Sequence, residues 1–95
     1  MTGTDWLATL REQADIGKQM ALDVPLMLAR PDVTLAQVRR VFGALDHQAH
    51  FVQELANVLE EKGCDFAVVD AARALQDLFA ELAVAAADKM VQMRR

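Results

Sequence analysis

The stretch Thr34–Gly63, TLAQVRRVFGALDHQAHFVQELANVLEEKG, decides the fold. It opens on a helix start signal. Thr34-Leu35-Ala36-Gln37 fits a capping box, in which the Thr34 hydroxyl accepts from the Gln37 N–H and the Gln37 side chain reaches back to the Thr34 N–H. Val33 and Val38 flank the cap at the spacing of a hydrophobic staple. Leu35, Val38, Phe42, Leu45, Ala49, Val52, Ala56 and Leu59 then recur every three or four residues, so they share one face of a helix. Val41, Leu55 and Val58 widen that face. Gly63 ends the helix as its left-handed C-terminal residue, and Lys62 suits the negative end of the dipole.

Downstream, Asp65 caps a third helix that runs close to the end of the chain. Val68, Ala72, Leu75, Phe79, Leu82, Ala86 and Met93 form one apolar line. Val69, Ala71, Leu78, Ala85 and Met90 form a second beside it. A helix apolar over so wide an arc is buried on more than one side. Its polar line is narrow: Asp70, Arg73, Asp77, Glu81, Asp88 and Gln92.

Upstream, a first helix is expected from Thr4, as its cap, to about Ala29. Asp5 suits the positive end of its dipole. Leu7, Leu10, Ala14, Gly17, Ala21, Val24 and Leu28 make the stripe. Two residues interrupt it. Gly17 costs about 1 kcal/mol against alanine in a helix interior. Pro25 lacks an N–H and clashes with the preceding turn. The first helix is therefore expected to kink just upstream of Pro25 or to break into two.

Helices at about 4–29, 34–62 and 65–93, joined by short turns at Pro31 and Gly63, predict an all-α fold. The form is an antiparallel three-helix bundle running up-down-up, in one domain over 1–95. Pairing of two 34–95 hairpins into a four-helix core, with the first helix laid across it, is the alternative.

The apolar share of 54%, before the four glycines are added, exceeds the ~45–50% usual for a combined count. A thin bundle hides little, so the excess argues for a protein partner or a second copy. Net charge is −4, and the densest basic pairs are Arg39-Arg40 and Arg94-Arg95. That is too little for a nucleic-acid footprint, and the acidic balance disfavours anionic lipid. No apolar run reaches the ~20 residues of a membrane span. Met1–Asp5 does not resemble the start of a signal peptide. The single Cys64 can form no internal disulfide, and a reducing cytoplasm is expected.

Chemistry-bearing patterns are few. His47, His50 and Glu54 have the helical spacing of metal ligands, but they share their line with Gly43, Asn57 and Glu61, which reads as a solvated face. Cys64 precedes a helix start, where a thiol pKa can fall, yet both histidines lie roughly 20 Å or more back along the second helix. Asp46, Glu54, Glu60 and Glu61 fall on polar faces rather than in a cleft. Phosphate loops, nucleophile elbows and zinc-protease motifs are absent from the sequence. Neither an enzyme nor a cofactor is expected.

The sequence points instead to a non-catalytic protein-interaction module: an adaptor, a small chaperone or an inhibitor occupying a partner's surface. Homodimerisation through the third helix, at Leu78 and Ala85, is one form of this. The candidate binding residues are Trp6, Ile16, Met27, Leu78, Ala85, Met90 and Met93. Trp6 is the only tryptophan, a type favoured in hot spots. Ile16 interrupts a line of Asp5, Thr9, Glu12, Gln19 and Asp23, and with Trp6 or the Leu26-Met27-Leu28 run it makes an interface. The methionines are adaptable, and those of the first and third helices fall at one end of an up-down-up bundle. Two alternatives remain open. One is a metal- or ligand-binding bundle using His47, His50 and Glu54. The other is an acidic decoy presenting Asp70, Asp77, Glu81 and Asp88 to a partner's nucleic-acid site, a stripe interrupted by Arg73.

Overall fold

A computed structural model describes residues 5–95. They form α1 (Trp6–Leu28), α2 (Leu35–Glu61) and α3 (Phe66–Met93), with no strand among the described residues. The molecule measures 49 × 20 × 20 Å. Its long axis is therefore little more than one helix of ~40 Å at 1.5 Å per residue. Successive helices alternate in direction. Trp6 shares a groove with Phe51, Leu55 and Val58, whereas Met27 shares one with Arg40, Val41 and Ala44, so α2 runs backwards along α1. Arg73 of α3 bonds Asn57 and Glu60 of α2 across the next seam.

The turns form as their chemistry demands. The capping box is complete: the Gln37 N–H donates to Thr34 Oγ1 at 3.1 Å, and the Thr34 N–H donates to Gln37 Oε1 at 2.9 Å. Val33 packs onto the core that contains Val38. At the far end, Gly63 has φ of +71°. The Cys64 N–H donates to Leu59 O and the Gly63 N–H to Glu60 O, both at 3.1 Å, the paired bonds of a Schellman turn. Cys64 folds back against the cluster containing Leu59. Asp65 holds the N-cap position of α3 by its backbone, without a side-chain bond to the first turn.

The first helix departs from expectation in three ways. Thr4, expected as the cap, lies outside the described residues, and Asp5 caps α1 through Oδ1, 3.1 Å from the Ala8 N–H. The helix is not broken at Pro25, which lies inside α1 in its last turn. One helical bond is forfeited there, at the Ala21 carbonyl, while the Pro25 carbonyl still accepts from the Ala29 N–H at 3.1 Å. Nor is Gly17 a flaw. A Cβ there would sit 2.6 Å from Leu75 Cδ1 and 3.3 Å from Leu78 Cδ2. Glycine is what lets α1 lie directly on α3.

The core belongs mainly to α2 and α3. One cluster joins Val38, Leu45 and Val52 to Leu75, Phe79, Leu82, Ala83 and Ala86, with Val24 of α1. A second joins Leu55, Ala56 and Leu59 to Val69 and Ala72. Phe79, Leu45, Leu59, Val38 and Val52 are fully buried, each worth roughly 1.5–3 kcal/mol relative to exposure. Of the expected α1 stripe, Gly17 and Val24 are buried, Leu10, Ala14, Ala21 and Leu28 are half-buried, and Leu7 is exposed. No helix among the described residues is long and apolar enough to cross a membrane.

Two substitutions test this account. Gly63→Ala forces a side chain into the left-handed region and should lower stability by roughly 1–2 kcal/mol in thermal or urea unfolding. Gly17→Leu improves helix propensity, yet it should destabilise by roughly 1–3 kcal/mol because the added side chain meets Leu75 and Leu78. A more stable Gly17→Leu protein would refute the close approach of α1 to α3.

Candidate functional site

The residues picked from sequence do not gather into one patch. Trp6 is half-buried. It packs on the cluster of Leu55, Leu59 and Val69 and lines a shallow groove with Phe51, Glu54, Leu55 and Val58. Met27 lines a second groove, of about 300 Å³, with Met20, Asp23, Val24, Arg40, Val41 and Ala44. Both grooves follow the seam of α1 and α2. Ile16 is partly exposed and lies one turn before Met20 on the same face of α1, so it borders this seam. The polar line to which it was assigned is thus the rim of a groove, with Gln19 bonded to Asp23 at 2.9 Å.

On α3 the second apolar line is divided. Leu78 is half-buried against the core, beside Gly17 and under α1. Ala85, seven residues on, is exposed. Met90 and Met93 are half-buried and pack against the cluster of Leu45, Phe79 and Ala86, so both serve the fold.

The most exposed large apolar side chains lie elsewhere. Leu22 and Leu26 of α1 are 66% and 70% exposed, and Phe66, at the start of α3, is 82% exposed. Val84 and Val91 also face outward. Leu22 and Leu26 are four residues apart and therefore adjacent on the helix surface. Leu26 was visible within the Leu26-Met27-Leu28 run. Leu22 was missed, although its spacing to Leu26 was a usable signal. With Met20 and Met27 on the groove side, the carboxyl-terminal half of α1 is apolar around most of its circumference.

The polar candidates sit in solvent. His47, His50 and Glu54 are exposed, and the His50 ring donates from Nδ1 to the Asp46 carbonyl at 2.9 Å. Among the described residues, no three His, Cys, Asp or Glu side chains converge as metal ligands would. Asp70, Asp77, Glu81 and Asp88 are exposed along one line of α3. Arg73, which appeared to interrupt that line, turns onto α2 instead. Its guanidinium lies 3.3 Å from Asn57 Oδ1 and 3.4 Å from Glu60 Oε1. Cys64 is half-buried at the Gly63 turn.

The chain matches no family model, no curated protein and no solved structure. Functional inference therefore rests on the surface itself.

Leu78 and Ala85 should behave differently when charged. Leu78→Asp puts a carboxylate in the seam beside Gly17 and should lower the unfolding midpoint, with a loss of roughly 2–5 kcal/mol. Ala85→Asp should stay within about 0.5 kcal/mol of wild type. Equal effects of the two in a thermal melt would contradict the division of this line.

Proposed function

We propose that this chain is a non-catalytic protein-interaction module, an adaptor, small chaperone or inhibitor that occupies a partner's surface and also associates with itself. The observation that carries this reading is the pair Leu22 and Leu26. They are largely exposed on the outer face of α1, whose opposite side lines the apolar groove of Met20, Val24, Met27, Val41 and Ala44. Single exposed leucines need no explanation, whereas two adjacent ones on a helix whose other side lines an open methionine-lined groove leave that helix with two apolar surfaces. Methionine side chains repack around different shapes, which suits them to line such a site. Arg40 and Asp23 at the groove edge supply polar contacts that orient a partner. The location supported best is thus the carboxyl-terminal half of α1, rather than the Leu78–Ala85 line of α3. A cytoplasmic setting fits the lone half-buried Cys64.

A second reading, the acidic decoy, is favoured by one observation. With Arg73 drawn to Asn57 and Glu60, the carboxylates of Asp70, Asp77, Glu81 and Asp88 form a less interrupted negative line. Partner binding that weakens steeply between low and high salt separates this reading from the apolar one.

The test is a Leu22→Glu, Leu26→Glu double variant. Wild type should sediment above its monomer mass at high concentration. The variant should sediment as a monomer, with unchanged helical circular dichroism and a thermal midpoint within a few degrees. Leucines that each contribute about 1.5 kcal/mol on burial imply at least a tenfold loss of affinity. A wild-type protein that stays monomeric, and whose capture of lysate proteins is untouched by the double substitution, would sink the proposal.

A further inference from the structure

The two grooves of the α1–α2 seam are separated by a polar layer. On α1, Trp6, Gln13, Met20 and Met27 recur every seven residues and so share one face. On α2, Val41, Gln48 and Leu55 do the same. Trp6 lines the lower groove with Leu55, and Met20 and Met27 line the upper groove with Val41. Gln13 is midway between Trp6 and Met20, and Gln48 is midway between Val41 and Leu55. The two glutamines therefore occupy the same level of the same seam.

Neither amide oxygen has a partner there. Gln13 is 9% exposed. The Oε1 atoms of both Gln13 and Gln48 are sealed from solvent without a hydrogen-bond partner among the described residues. An acceptor that leaves water and gains no donor penalises the closed state, and opening the seam returns it to water. The rest of the inner face of α1 is held less firmly than the seam beside it. Ala14, Gly17 and Ala21 are small, Val24 is its one buried large apolar side chain among the described residues, and Trp6, Leu10, Met20 and Leu28 pack on the core while only partly buried. The α2–α3 seam, by contrast, holds Leu45, Val52, Phe79 and Leu82 in one continuous cluster.

We infer that the Gln13–Gln48 layer makes α1 a releasable cover on the α2–α3 hairpin. Its opening uncovers Leu75, Leu78 and Phe79, the side chains facing Gly17, while the hairpin stays folded. Two conditions combine here: a seam weakened by buried unpaired acceptors, and a neighbouring seam strong enough to persist without it. Sub-global opening of one element is the expected consequence. The inference concerns how α1 is held, and it stands apart from whether Leu22 and Leu26 bind a partner.

Hydrogen exchange read by mass spectrometry on the full chain tests it. Amides in the middle of α1 should exchange at least about tenfold faster than those around Leu45, Val52 and Phe79. Methionine matches the unbranched length of glutamine and lacks the amide. A Gln13→Met, Gln48→Met double variant should therefore slow exchange in α1 by about tenfold. Gly17→Leu, which crowds the α1–α3 side, should speed exchange in α1 while α2 and α3 keep their protection. Three results overturn the inference: α1 exchanging in step with the hairpin in wild type, the methionine variant leaving α1 exchange unchanged or faster, or Gly17→Leu releasing all three helices together. The second would mean that the two amides satisfy each other in solution and stabilise the seam.

Discussion

The seam between α2 and α3 is the constraint on which the rest of the molecule depends. Leu45, Val52 and Leu59 reach across it to Phe79, Leu75 and Ala72 in two clusters that run most of its length. The register is set at one end by the turn after α2. Gly63 adopts a left-handed conformation, the Cys64 and Gly63 N–H groups return to Leu59 and Glu60, and the chain reverses within a few residues. Reversal so short brings Leu59 into one cluster with Val69 and Ala72. Arg73 then falls opposite Asn57 and Glu60, which is why its charge leaves the outer face of α3.

The first helix answers to this hairpin rather than shaping it. Its inner face mixes small residues, which let it approach closely at Gly17, with large ones that, Val24 apart, are only partly buried. Its outer face carries Leu22 and Leu26 where an ordinary surface helix carries charge. A helix apolar on two sides and lightly anchored on one is suited to meeting something else. The open grooves on either side of the Gln13–Gln48 level lie where α1 fails to seal against α2. Exposed leucines, grooves and unpaired amides thus trace to one cause, the thinness of a three-helix core in a chain of 95 residues.

Much of the fold was legible because its signals are local. The capping box at Thr34 and Gln37, the glycine after α2 and the three- and four-residue spacing each depend on neighbours within a turn or two. At two positions of α1 the local rules stopped short. At Pro25 they allowed a kink or a break, and the break did not occur: α1 runs through to Leu28 at the cost of one helical hydrogen bond. Gly17 was weighed by propensity, whereas the Leu75 side chain across the seam decides it. The candidate site was less legible. Trp6, Met90 and Met93 are the side chains a reader picks for a surface, and all three pack on the core. Leu22 belongs to no inward stripe, and its exposure follows only once α1 is seated.

What the sequence by itself determined is the all-helical class, the ends of α2 and α3 and the face of α2 that turns inward, since periodicity and caps along one helix need no knowledge of the others. Tertiary structure alone decided which flank of the wide apolar arc on α3 is covered, so that Leu78 lies under α1 and Ala85 does not. It likewise decided that Gln13 and Gln48 share a level, and that Arg73 leaves the acidic line. Each of these turns on the rotation and height of one rod against another. Those two quantities are set by side-chain shapes meeting across a seam, and no pattern within a single helix encodes them.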